Sequence, residues 1–152
     1  EAGEVDYKKC ITKSETSTGA YMTVQVNWKK EHEFDSLFGD TITAIDGDRV
    51  SGPGPKSLLL TGLAGCTGID VVDILTKMRV VYADLSIEAE AEQTEEHPKV
   101  FKDIQLTYRI RTEPENEEKV KKAIELSLEK YCGVAAMLRK NSDIHYQLEL
   151  LK

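Results

Sequence analysis

Gly52-Pro-Gly-Pro55-Lys56-Ser-Leu-Leu-Leu60-Thr-Gly-Leu-Ala-Gly-Cys66-Thr-Gly-Ile-Asp70-Val-Val72 is a Gly/Pro turn that launches a long apolar segment with one cysteine in its middle. Pro55 suits a first helical turn, where its missing N–H costs little. The pattern predicts a helix from Pro55 to Met78 or Arg79, with Lys77 and Arg79 favourable at its negative end. Leu58, Leu59, Leu60, Leu63, Ile69, Val71, Val72, Ile74, Leu75 and Met78 point all round that helix. A helix apolar on most faces is buried on most faces. A chain of 152 residues encloses such a helix only with difficulty, which points to a partner subunit. Gly62, Gly65 and Gly68 recur along it, each costing roughly 0.8–1 kcal/mol relative to Ala. Their repetition predicts close approach of another backbone.

Upstream, residues 1–20 are polar and read as an N-terminal arm, followed by one domain over residues 21–152. Met22, Val24, Val26 and Trp28 share a face against Thr23, Gln25 and Asn27, the period of a half-buried strand. After a polar turn at Lys29–Glu33, Thr41–Ile45 is a second β-rich piece, closed by Asp46-Gly47-Asp48. Downstream, Leu85, Ile87, Ala89 and Ala91 alternate with acidic and polar residues, and Ile104, Leu106, Tyr108 and Ile110 with Gln105, Thr107, Arg109 and Arg111. These read as a hairpin with a long connection through His97-Pro98. Asn116 is placed to cap a second long helix, in which Val120, Ala123, Ile124, Ser127, Leu128, Tyr131, Cys132, Ala135 and Leu138 recur at helical spacing. Ile144, Tyr146, Leu148 and Leu150 form a last strand. The fold class is α+β, mostly antiparallel, with two long helices.

The formal net charge of −7 and the lack of a Lys/Arg run argue against nucleic acid. Asp70 and Asp73 interrupt the longest apolar stretch, so a membrane span is not expected. Three cysteines do not make a disulfide scaffold; a reducing cytoplasm fits them.

Cys66 and Cys132 lie on the two helical patterns. If those helices cross, the thiols meet as a buried redox pair. A thiol works as a nucleophile only as the thiolate, which calls for a nearby cation or donor. Lys56, Arg79, Lys130 and Arg139 are the candidates. Against this stands the plain reading of a buried cysteine as a small hydrophobe. Asp70, one turn from Cys66, would raise a thiol pKa rather than lower it. Cys10, in the polar arm, is read as incidental. His32, His97 and His145 show no ligand spacing, so neither a metal nor a cofactor is expected.

At these residues the chain resembles the OsmC/Ohr family, the osmotically inducible and organic hydroperoxide resistance proteins, and within it the YhfA-like branch. The resemblance spans Tyr21 to Leu150. It rests on the stretch quoted above, on Ser127-Leu-Glu-Lys-Tyr-Cys132-Gly-Val-Ala-Ala-Met-Leu138, and on Pro98-Lys-Val-Phe-Lys-Asp-Ile104. It implies antiparallel sheets wrapped around two long central helices in an intertwined homodimer. It further implies cysteine-based reduction of organic hydroperoxides in oxidative or osmotic stress. Cys66 matches the peroxidatic cysteine, which passes through a sulfenic acid, and Cys132 the resolving one. A dithiol reductant, lipoyl-type in the Ohr branch, would regenerate the pair. The chain departs from the pattern where active peroxidases carry Pro-Glu, for here Pro55 is followed by Lys56 and Ser57. That departure supports an alternative: a non-peroxidase OsmC-like dimer that binds a small apolar or thiol-reactive ligand in its interface pocket.

Overall fold

The structure is a computed structural model that describes residues 21–152. The expected N-terminal arm and Cys10 lie outside the described residues. The chain divides into two units, one ending at Pro55 and the other beginning at Lys56.

The first unit is an antiparallel meander of β1 (Gln25–Lys30), β2 (Glu33–Phe38) and β3 (Thr41–Asp46). Trp28 pairs with Phe34, and Leu37 with Ile42. Strand β2 was not expected, because Phe34, Leu37 and Phe38 do not alternate. The period-two face of β1 is present but not half-buried: Val26 and Trp28 are 50% and 63% exposed. Alternation records which side chains share a face, not whether a second layer covers it. Asp46 closes the unit by accepting the backbone N–H groups of Asp48, Val50 and Ser51 at 2.8–2.9 Å. Those donors hold its carboxyl down at about 2.

Helix α1, 23 residues over Pro55–Lys77 as the sequence predicts, starts at the last residue of the first unit and otherwise belongs to the second. It buries one stripe, Leu63, Thr67, Val71 and Leu75, at the i,i+4 spacing of a single helix face. Its other faces stay open, with Leu59 49% and Ile69 66% exposed. The three glycines do not meet a backbone. A Cβ on Gly62 or Gly65 would find nothing within 4 Å, and one on Gly68 would meet the Ile87 side chain at 3.1 Å. Gly65 and Gly68 instead help to line an open apolar trough of about 810 Å3 between α1 and the next strand.

That strand, β4 (Tyr82–Gln93), pairs antiparallel with β5 (Phe101–Thr112), and β5 pairs with the last strand, β6 (Asp143–Leu151). The β5–β6 pairing is parallel, which corrects the expectation of antiparallel sheets. The chain between these strands is a helical crossover, and a crossover returns the next strand in the same direction. Ile104, Leu106, Tyr108 and Ile110 of the central strand are fully buried and form the core with the α1 stripe.

The crossover corrects a second expectation, since it is not one long helix. A short 3₁₀ turn (Pro114–Asn116) leads into α2 (Glu117–Leu126) and a π-helical turn (Ser127–Tyr131). Cys132 is extended (φ −73°, ψ 102°), and α3 (Gly133–Leu138) begins after it. The Cys132 N–H reaches back to the Ser127 carbonyl at 2.7 Å, the wide spacing of a π turn. Gly133 then favours a restart over continuation. The apolar face carries through the break, which is why periodicity alone read as one helix. Asn116 does not cap α2 with its side chain, which donates to Thr112 Oγ1 at 3.0 Å.

Candidate functional site

The broken crossover brings Cys132 against α1. The sulfurs of Cys66 and Cys132 and a carboxylate oxygen of Asp70 all lie within 4.8 Å of one another. Both cysteines are free thiols. Cys66 is half-buried on α1, whereas Cys132 is only 3% exposed. Cys132 caps α3, its sulfur accepting the Ala135 N–H at 3.3 Å. That single donor does not offset the loss of solvent. Burial and the neighbouring Cys66 sulfur push the Cys132 thiol up to about 11.

Three of the four candidate cations are engaged by other groups. Lys56 Nζ donates to Gln93 Oε1 and to the Lys99 carbonyl, and ten residues of helix put it ~15 Å from Cys66 along the axis. Arg79 lies beyond the far end of α1. Lys130 Nζ sits 5.3 Å from the Tyr131 ring centroid, and Arg139 Nη1 donates to the Leu128 carbonyl at 2.9 Å. The charge placed beside the thiols is the negative one, Asp70.

Asp70 is held by a buried hydroxyl chain that the sequence reading missed. Tyr108 Oη and Thr67 Oγ1 are 2.7 Å apart, Thr67 Oγ1 and Ser127 Oγ are 2.8 Å apart, and Ser127 Oγ lies 2.8 Å from Asp70 Oδ2. Each hydroxyl has one proton, and the carboxylate can only accept. The assignment that satisfies all four groups runs one way: Tyr108 donates to Thr67, Thr67 to Ser127, and Ser127 to Asp70. Burial raises the Tyr108 hydroxyl well above its ordinary value, so it remains a donor. The available signal was the α1 stripe, where Thr67 takes a core position between Leu63 and Val71.

Among the described residues, two clusters carry metal-ligating atoms: Cys66, Asp70 and Cys132, and the exposed group Asp103, Asp143 and His145. The first is a soft-metal donor set with two thiols and one carboxylate.

Residues 46–147 match a family model described as "OsmC-like protein". The chain belongs to the OsmC-like family. A relative within reach of this OsmC-like chain is Protein YhfA of Escherichia coli strain K12, 33% identical over 132 residues that cover 86% of the chain and 98% of that protein. Among solved structures, a hypothetical protein from Aquifex aeolicus VF5 is 29% identical with a TM-score of 0.74, covering 87% of this chain and 98% of that one. The organic hydroperoxide resistance protein OhrB of Bacillus subtilis shares the fold, with a TM-score of 0.58 at 20% identity, covering 84% and 98%. The mixed α+β architecture of this OsmC-like chain, with its two sheets, is thus the one found in both of those structures.

Proposed function

We propose that this OsmC-like chain is a two-cysteine thiol peroxidase that reduces organic hydroperoxides. Cys66 is the attacking thiolate and Cys132 the resolving thiol, and an external dithiol regenerates the pair. The observation that carries the reading is the meeting of the two sulfurs, one half-buried and the other sealed in the core. The half-buried Cys66 is the sulfur a peroxide can reach, and burial pushes the Cys132 thiol up, as suits a resolving thiol held protonated until the second step. The hydroperoxide named for OhrB, a protein of the same fold, supports the substrate class. The reading includes a homodimer, whose second copy covers the open side of α1, and a cytoplasmic location, where thiols stay reduced. It requires no metal, cofactor, nucleic acid or membrane. By length and composition α1 could cross a membrane, but its stripe packs in the core of the second unit.

The test is thiol loss and Cys66–Cys132 disulfide formation, followed by mass spectrometry, with cumene hydroperoxide against hydrogen peroxide. Faster reaction with the organic peroxide and loss of turnover in Cys66→Ser are expected. Slow, unselective oxidation would favour the second reading, ligand binding in the apolar trough. The observation behind that reading is Lys56, which follows Pro55 where the resemblance places the Glu of active peroxidases, and whose Nζ donates to Gln93 Oε1 and to the Lys99 carbonyl.

A further inference from the structure

Asp70 is a liability if it is a bystander. A carboxylate beside two thiols opposes the thiolate that either must become. Yet Ser127 is buried and Thr67 and Tyr108 are fully buried, and together they hold one oxygen of that carboxylate in place. Oδ2 accepts from Ser127, and a carboxylate oxygen of Asp70 lies within 4.8 Å of both sulfurs, a span that can be crossed directly or through one water. Cys132 needs such help: it is 3% exposed, so bulk hydroxide cannot readily deprotonate it.

We infer that Asp70 is the base that takes the Cys132 proton as the disulfide closes, and the acid that hands the same proton to the departing hydroxide. The inference rests on the two-cysteine reading for its oxidant. In the first step the Cys66 thiolate attacks a peroxide oxygen and the O–O bond breaks. Cys66 becomes a sulfenic acid, and the alkoxide leaves as an alcohol with a proton from solvent. In the second step the Cys132 S–H proton moves to Asp70 while its sulfur attacks the Cys66 sulfur. The S–O bond breaks, and the hydroxide collects that proton and leaves as water. Two thiols have been oxidised to a disulfide, one peroxide has been reduced, and Asp70 is again a carboxylate. Ser127, Thr67 and Tyr108 position it.

The experiment compares wild type with Asp70→Asn, both in a Cys10→Ser background. In one arm the sulfenic acid on Cys66 is generated with cumene hydroperoxide, and its decay to disulfide is timed by quenched mass spectrometry. In the other, Cys66 is first converted to its methylthio mixed disulfide. Attack by Cys132 then releases methanethiol without any peroxide. Asn keeps a hydrogen bond to Ser127 but cannot take a proton. Asp70→Asn should slow both arms by about 10²-fold. The wild-type rate should stay nearly level from about pH 6 to 8, whereas that of Asp70→Asn should climb about tenfold per unit, because only pre-formed thiolate then reacts. Ser127→Ala, which leaves the carboxylate but frees it, should lose several-fold with the level profile kept; this variant carries the test if Asp70→Asn does not fold. Equal or faster closure in Asp70→Asn would overturn the inference, since a merely repulsive carboxylate speeds the step when removed. Failure of Cys66 to form a sulfenic acid, with the methylthio arm still dependent on Asp70, would sink the peroxidase reading and uphold the role of Asp70 toward Cys132.

Discussion

Cys132 sits where three demands meet: it ends a π turn, caps α3 and faces Cys66. Its raised pKa has a consequence for the fold. The folded protein holds this proton up to about 11, whereas the unfolded chain releases it near 9.0. Between those values the unfolded state binds fewer protons, so stability should fall as pH rises through the window and be fully present below it. Urea titrations at pH 8, 9.5 and 11 should show a shallower loss in Cys132→Ala than in wild type. Equal slopes would mean that the thiol is not desolvated. Cys66 and Cys132 were legible in the sequence as a candidate pair, because each lay on an apolar helical pattern. The role of Asp70 was not, since its meaning depends on Ser127, which is 57 residues away along the chain.

At the scale of elements, α1 and β5 are tied together by polar groups in an otherwise apolar core. Thr67→Val keeps the shape of the side chain and removes its hydroxyl, stranding the buried Tyr108 Oη and shortening the chain to Asp70. A loss of about 1–3 kcal/mol in urea unfolding is expected, the cost of leaving a buried polar group unpaired. An unchanged midpoint would show that the hydroxyls find other partners. Helix α1, the β4–β5 hairpin and β6 were all readable, because their patterns are long and regular. The crossover was not. A π turn keeps apolar residues on one face while breaking the helix axis, so Val120 through Leu138 read as continuous. Strand β2 escaped for the opposite reason: Glu33-Phe-Asp-Ser-Leu-Phe38 has apolar residues but no period, and cross-strand pairing fixes it instead.

For the whole molecule, the open side of α1 carries the proposal of a dimer. Ile69 is 66% exposed and Val72 39%, and both line the trough. An Ile69→Asp substitution should weaken self-association by about tenfold or more, as an interface residue at a buried apolar centre would. Sedimentation equilibrium reads this directly. A variant as dimeric as wild type would place the interface elsewhere. The all-round apolarity of α1 was visible in the sequence as a need for cover; the second unit buries the Leu63–Leu75 stripe and partly covers Leu60, Cys66 and Ile74, and leaves Leu59, Ile69 and Val72 exposed.

The parallel β5–β6 pairing also bears on the order in which the chain can assemble. The β4–β5 hairpin joins residues close in sequence, but β6 can dock only after the whole helical crossover has been laid down, and such non-local pairing is slow. Cys132 lies inside that crossover and Cys66 before the hairpin, so the two sulfurs meet late. In a refolding experiment, protection of Cys132 from a thiol-labelling reagent should lag behind the hydrogen-exchange protection of the β4–β5 amides. Simultaneous protection would mean that the crossover packs against α1 before the sheet is complete. With the expected lag, the redox pair doubles as a clock, since it forms only in a molecule that has finished folding.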